Sequence, residues 1–316
     1  MAFRLDVQQR VSESLRANVD GELEAAIESL SVVDPAKRSD AVHDARKHLK
    51  KARSALRLVR GALGKRTARR LNDELRTVAA SLSDRRDADV LVATVESLHD
   101  RFVGQLPAAT FESLRARLAE QAQRDERDDD HAVQIERLDG LRARLEAAKF
   151  NRIKWSTVVA GIDRSYRRGR KRYEAAEKAG TEDLHQWRKR AKDLWYHHRL
   201  IKDAHPTVVG GFAKDAHELS DLLGDDHDLA VLRATIVHRE PPAATAPVDL
   251  EPVVDLIDER RTELQADARR LARRLYAEKP KAFSRRTREY VRAFADEGRA
   301  TAPADSAVPP SPPARP

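Results

Sequence analysis

The stretch His43-Asp44-Ala45-Arg46-Lys47-His48-Leu49-Lys50, continuing to Arg57, decides the reading of this chain, because it returns as His185-Gln186-Trp187-Arg188-Lys189-Arg190-Ala191-Lys192, continuing to Arg199. His, Arg, Lys, Lys and the closing Arg match at one offset of 142 residues (185 against 43). At about 100° per residue, Arg46, Lys47, Lys50, Ser54 and Arg57 share a helix side with His43, and Arg53 and Lys51 lie at its margins. Ala45, Leu49, Ala52, Leu56, Val59 and Leu63 fall opposite. The second copy divides in the same way: His185, Arg188, Lys189, Lys192, Tyr196 and Arg199 on one side, Trp187, Ala191, Leu194 and Ile201 on the other. Both stretches are predicted to be helices with one cationic face and one core-facing stripe.

A second landmark follows each copy. Leu82-Ser83-Asp84-Arg85-Arg86-Asp87-Ala88-Asp89-Val90-Leu91 resembles Leu223-Gly224-Asp225-Asp226-His227-Asp228-Leu229-Ala230-Val231-Leu232, now 141 residues on (228 against 87). Two landmarks in one order at nearly one spacing argue for a duplicated unit. The halves are placed at residues 1–147 and 148–296, followed by a Pro- and Ala-rich tail, residues 297–316, expected to be disordered.

Apolar residues recur every three or four positions along most of the chain, and no strand pattern emerges, so an all-α fold is predicted. Breaks are expected at residues 34–35, 61–65, 83–86, 104–107, 125–130, 203–206 and 240–247. With 316 residues and 41% hydrophobic content the chain can build sizeable cores. It has no run long enough to cross a bilayer and no secretory signal, which points to a cytoplasmic protein without membrane contact. There is no Cys, which excludes thiolate chemistry, disulfides and Cys-type zinc sites.

The balance of 60 Lys and Arg against 52 Asp and Glu gives +8, and the charges of the tail cancel, so the excess belongs to the folded body. A solvated helix commonly interleaves acids four residues from its cations. Between His43 and Arg60 the only acid is Asp44, and between His185 and Lys202 the only acid is Asp193. Two uncompensated stripes suggest an anion supplied from outside. Arg offers a planar donor fork, Lys a mobile point charge and His a further donor, and their repetition by helical turns suits a linear polyanion. A Gly-rich phosphate loop, the usual cradle for a single phosphate group, is absent. Ahead of the second basic helix, Arg164, Arg168 and Lys171 lie opposite an apolar face marked by Trp155, Val159, Ile162, Tyr166 and Tyr173. They are weaker candidates, because the first half carries Glu22, Glu24 and Glu28 in that place.

The acidic landmark admits three readings. Asp84, Asp87 and Asp89, like Asp225, Asp226 and Asp228, stand where one helix is expected to end and the next to begin, which suits capping. Asp87 and Asp228 could instead orient the basic face by salt bridges. His227-Asp228 also has the look of a metal phosphohydrolase pair, but its companion ligands cannot be placed by spacing, and no metal ligands or cofactor are assigned. His48, His131, His197, His198 and His217 have no match in the other half and are assigned to surface or packing. No nucleophile elbow, P-loop or nucleophile-base pair is present, so the protein is expected not to be an enzyme.

The duplicated His-x-x-Arg-Lys-x-x-Lys helix, the Asp-x-x-Val-Leu-like landmark and a closing segment at residues 275–283 together resemble the CHAD domain family over roughly residues 4–297. The resemblance implies two pseudo-symmetric helical bundles around a central basic channel or groove. It also implies inorganic polyphosphate as ligand and association with polyphosphate granules. By the motif match His43, Arg46, Lys47, Lys50 and Arg57, with His185, Arg188, Lys189, Lys192 and Arg199, would contact phosphate; the wheel adds Arg53 and Tyr196. Trp195 stands where the first copy has Arg53, a departure that would loosen the second half's grip. Many relatives carry a CYTH triphosphate-hydrolysing domain, which needs a strand-rich segment this chain lacks, so a stand-alone binder is expected. Nucleic acid is the alternative polyanion, and the metal-dependent phosphohydrolase comes after it.

Overall fold

The computed structural model describes residues 3–34, 37–82, 84–124, 131–176, 180–238 and 250–301. Among the described residues the chain is all helix, with no strand: α1 (Val11–Leu30), α2 (Arg38–Leu63), α3 (Lys65–Ser81), α4 (Asp84–Arg101), α5 (Ala108–Arg124), α6 (Ala132–Glu146), α7 (Trp155–Ala175), α8 (Thr181–Leu200), α9 (Pro206–His238), α10 (Glu251–Leu275) and α11 (Pro280–Thr301). The two repeated stretches are α2 and α8. The expected breaks at 125–130 and 240–247 lie outside the described residues, as do residues 302–316 of the tail; residues 297–301 instead continue α11.

Punctuation follows backbone chemistry. Gly64 joins α2 to α3 at φ +82°, and Gly104 precedes α5 at φ +84°, a region that only a residue without Cβ enters freely. Pro206 and Pro280 open α9 and α11, where a missing N–H costs no intrahelical bond. One expectation fails. The second acidic landmark was to mark a helix boundary, yet α9 runs unbroken through it, so capping is excluded for Asp225, Asp226 and Asp228. In the first copy α3 ends at Ser81 and α4 begins at Asp84, and the side chains of Asp84, Asp87 and Asp89 lie outside the described residues.

Helix pairs pack in sequence, α1 on α2, α7 on α8, α8 on α9 and α9 on α10. The buried apolar stripes meet in two cores. The larger takes Leu15, Leu49, Leu56, Leu75 and Leu141 together with Ile162, Trp187, Leu219, Leu271 and Phe283. The smaller joins Leu98 and Phe111 of α4 and α5 to Leu232 and Ile257 of α9 and α10. Each therefore draws on both halves of the sequence.

Two contacts hold the layers in register. At the α2–α7 crossing a Cβ on Gly161 would stand 2.2 Å from the Leu58 carbonyl oxygen, so only Gly permits this approach. Near the middle of α7, Tyr166 stacks on Phe283 at 3.8 Å and donates from its hydroxyl to the Glu278 carbonyl at 2.7 Å. Arg170 donates to the same carbonyl and to that of Tyr276, which anchors the closing segment 275–283 on α7.

Candidate polyanion interface

Where α2 meets α8, Arg57 donates from Nε to Asp193 Oδ1 at 2.9 Å, and Arg190 lies 3.1 Å from Oδ2. Asp193 is buried, 4% exposed. Burial alone would raise its pKa, but the Arg57 and Arg190 charges outweigh it and hold the carboxyl below its ordinary value. One turn on, His197 is buried between Ser165 Oγ, 2.8 Å from Nδ1, and the Ser54 carbonyl, 3.0 Å from Nε2. A carbonyl only accepts, so Nε2 carries the proton and Nδ1 accepts from the serine hydroxyl. Burial pushes the His197 pKa down to about 4, and the ring is neutral at pH 7. The lone acid of the second stripe thus compensates a cation of the first. Distance in sequence hid that pairing.

The Arg of each motif copy docks on the landmark of its own half. Arg46 donates to the Leu82 carbonyl at 2.6 Å. Arg188 lies against Gly224, where a Cβ would be 3.0 Å from Nη2, and its guanidinium stands 3.5 Å from Asp228. Asp228 therefore orients the basic face rather than capping a helix. Asp226, buried beside it, accepts from Arg261 at 3.1 Å and Gln265 at 2.8 Å and ties α9 to α10.

The remaining motif positions differ in charge and access. Lys47 is exposed and pairs with Asp44 at 2.9 Å, and the hydrogen bond from Lys47 lowers the Asp44 pKa. Lys189 is exposed; His43, Lys50 and Lys192 are half-buried. His185 stacks on His227 with ring centroids 4.3 Å apart. Burial, then the neighbouring His227, brings the His185 pKa down to about 4, so it is a neutral hydrogen-bonding group and not a cation. Its Nδ1 and that of His227 are buried without a hydrogen-bond partner among the described residues.

A cluster of guanidinium groups spans the crossing. Burial, then the charges of Arg57 and Arg76, brings Arg53 down to about 10. Arg164, which donates to the Leu58 carbonyl at 2.8 Å, is lowered by burial and by Arg60 and Arg168. Arg190 is lowered by burial and then by Arg57, Arg168 and Arg172, against the pull of Asp193. Cations from α2, α3, α7 and α8 therefore lie within reach of one another's fields. Sequence reasoning missed Arg60, Arg76 and Arg190. Arg190 stands about 140° from His185 on the wheel, and only the tertiary crossing brings it in. Lys171, the other weaker candidate, is exposed on α7.

Two assignments need correction. Tyr196, placed on the basic side by the wheel, is 5% exposed, edge-on to Phe3 and stacked on Trp195, and burial lifts its pKa to about 12. The N-terminal segment covers this part of α8, so the ring is core. Arg199 matches Arg57 in sequence but not in partner: its guanidinium lies over Phe3 and Trp195, in a separate surface pocket with Lys202, Lys214 and His217. Of the unmatched histidines, His197 and His198 are buried, His198 lowered by burial to about 3, while His48 stands against Glu22 at 2.6 Å and His217 against Asp221.

Among the described residues no three His, Asp or Glu side chains converge as a metal set, and no helix is long and apolar enough to cross a membrane. No curated protein matches the chain. The family model for the CHAD domain matches residues 21–237, which include both basic helices and both acidic landmarks and leave out the closing segment. The chain belongs to the CHAD domain family.

Proposed function

We propose that this protein binds inorganic polyphosphate along the cations of α2, α7 and α8, without turning it over, and that binding directs it to polyphosphate granules. The observation that carries the proposal is the guanidinium cluster at the helix crossing: Arg53, Arg164 and Arg190 each lie in the field of other cations, with Asp193 as the carboxylate common to Arg57 and Arg190. A phosphate chain relieves that repulsion along its whole length, because each unit carries negative charge and each oxygen accepts from a guanidinium fork. Family membership supports the same reading, since the CHAD domain is associated with polyphosphate binding. The neutral His185 adds a hydrogen-bonding edge rather than a charge.

Affinity is expected to fall steeply with salt, as displaced counterions return. Joint replacement Lys50→Ala and Lys192→Ala is expected to weaken polyphosphate binding about tenfold or more with the thermal melt unchanged. Unchanged affinity would show that the face is wrongly assigned. Nucleic acid is the competing polyanion, and Tyr196, the aromatic on the basic side of the second repeated helix, is buried and offers no face for base stacking. Duplex DNA at equal phosphate concentration should fail to displace polyphosphate. Phosphate release from polyphosphate with added divalent metal would refute the non-enzymatic reading.

A further inference from the structure

On the side of α7 away from α2, a cavity of about 940 Å³ opens between the segment leading into α1, the start of α7 and α11. Val11, Ile153, Trp155, Val159 and Val291 form an apolar stretch of its lining, with Ser12, Asn151 and Ser284 among the polar residues beside it, and Trp155 is held edge-on to Phe294 at 5.8 Å. Gly298 and Val7, both on the lining, meet in a contact only glycine allows: a Cβ on Gly298 would stand 2.4 Å from the Val7 carbonyl oxygen. The cavity thus lies between three parts of the chain.

The charge around it is one-sided. Arg10, Lys154 and Arg288 line it, and none has an acidic partner among the described residues. Arg292 and Arg299 share Asp296. Asp163 is the one acid among the described lining residues; Arg167 pairs with its Oδ2 at 3.0 Å, and its Oδ1 is buried without a hydrogen-bond partner among the described residues. A polyphosphate chain would satisfy the cations but leave the apolar part of the lining against charged oxygens. A plain hydrocarbon would leave the cations unused.

We propose that this cavity binds an anionic amphiphile, an alkyl or acyl chain against Trp155, Val159 and Val291 with a phosphate or carboxylate head at Arg288 and Lys154. The volume lies within the range of small-molecule sites, and the chemistry matches at both ends. Each methylene that enters apolar surroundings strengthens binding about fourfold until the cavity is full. The site is separate from the guanidinium cluster, since Trp155 and Val159 lie opposite Arg164 and Arg168 on α7.

The test is calorimetric titration of the full chain with homologous alkyl phosphates, alkyl carboxylates and alkanols below their micelle concentrations, followed in parallel by tryptophan fluorescence. Affinity should rise with chain length at about fourfold per methylene. Either anionic head should exceed the matching alkanol at least tenfold, and the phosphate-to-carboxylate ratio identifies the preferred head. Trp155→Phe should remove the fluorescence change and leave the heat. Ala160→Trp, which fills the cavity from an exposed position, and Arg288→Glu, which reverses the rim, should each weaken the anions at least tenfold while polyphosphate affinity and the melt stay unchanged. Absence of binding at every chain length, equal affinity for anion and alkanol, or binding indifferent to both substitutions would overturn the proposal.

Discussion

Asp193 is the residue on which the two basic helices depend. It is buried between Arg57 and Arg190, and one neutral substitution there leaves two guanidinium groups facing each other across the crossing. Asp193→Asn is expected to destabilise the fold by about 3 kcal/mol, the low end for a broken buried pair because Arg57 is partly exposed. Since its folded pKa is depressed, the carboxylate's contribution is present above the unfolded value and disappears as pH falls through the folded one. Wild type and variant should therefore begin to converge in stability below about pH 4 in urea titrations and coincide only below the depressed folded pKa. The buried histidines act over a higher window. His197 falls from 6.5 to about 4 and must stay neutral to accept from Ser165, so the unfolded chain takes up protons first. Stability from this residue is complete above pH 6.5 and is lost as pH drops toward 4, by about 3 kcal/mol in all. Replacement His197→Gln should flatten that slope, and an unchanged slope would show that another group titrates. Neither residue announced itself in the sequence. Asp193 read as the lone acid in a basic stripe and His197 as an unmatched histidine, because what each does depends on a partner more than a hundred residues away.

At the level of the helices, periodicity was enough to place α2 and α8 and to say which side of each faces the core. Leu49, Leu56, Trp187 and Leu194 are buried as the wheel requires. The wheel failed for Tyr196 because it assigns angles, not neighbours, and the segment before α1 covers that angle. The acidic landmark misled for a related reason. A run of Asp after Gly resembles a helix start, but Gly224 sits inside α9, where its missing side chain makes room for the Arg188 guanidinium. Two glycine substitutions separate these uses of space. At Gly161 a methyl meets backbone, the Leu58 carbonyl at 2.2 Å, which cannot yield without parting α2 from α7, and Gly161→Ala should cost about 3 kcal/mol. At Gly224 it meets only the end of a flexible side chain, and a gain in helix propensity of about 1 kcal/mol offsets the shift. Gly224→Ala should therefore melt within a few degrees of wild type while releasing Arg188 from Asp228, seen as a change in polyphosphate affinity. Equal destabilisation by both would mean that Arg188 is as rigid as backbone.

Across the whole molecule, the repeat that was legible in the sequence as two halves is not a plan of two separate cores. The larger core combines Leu49 and Leu75 with Trp187 and Phe283, and the smaller closes α4 and α5 onto α9 and α10. Nothing in a linear repeat says whether its copies bury their stripes alone or against each other, since either satisfies the same periodicity. The guanidinium cluster has the same character, taking Arg53, Arg57, Arg60 and Arg76 from one half and Arg164, Arg168 and Arg190 from the other. Separation of the halves tests both points together. Expressed alone, residues 1–147 would expose the faces of α2, α4 and α5 that meet α7, α8 and α9, and residues 148–301 the complementary surface. At about 25 cal/mol for each Å² of apolar surface left in water, neither can retain a fold that is marginal even when intact. Each half is expected to show partial helicity without a cooperative melt and no tight polyphosphate binding. Mixed or co-expressed, the two should recover a single transition and the binding together. A half that melted cooperatively and bound polyphosphate unaided would show that each basic helix is a complete site, and that the crossing at Asp193 joins two sites rather than building one.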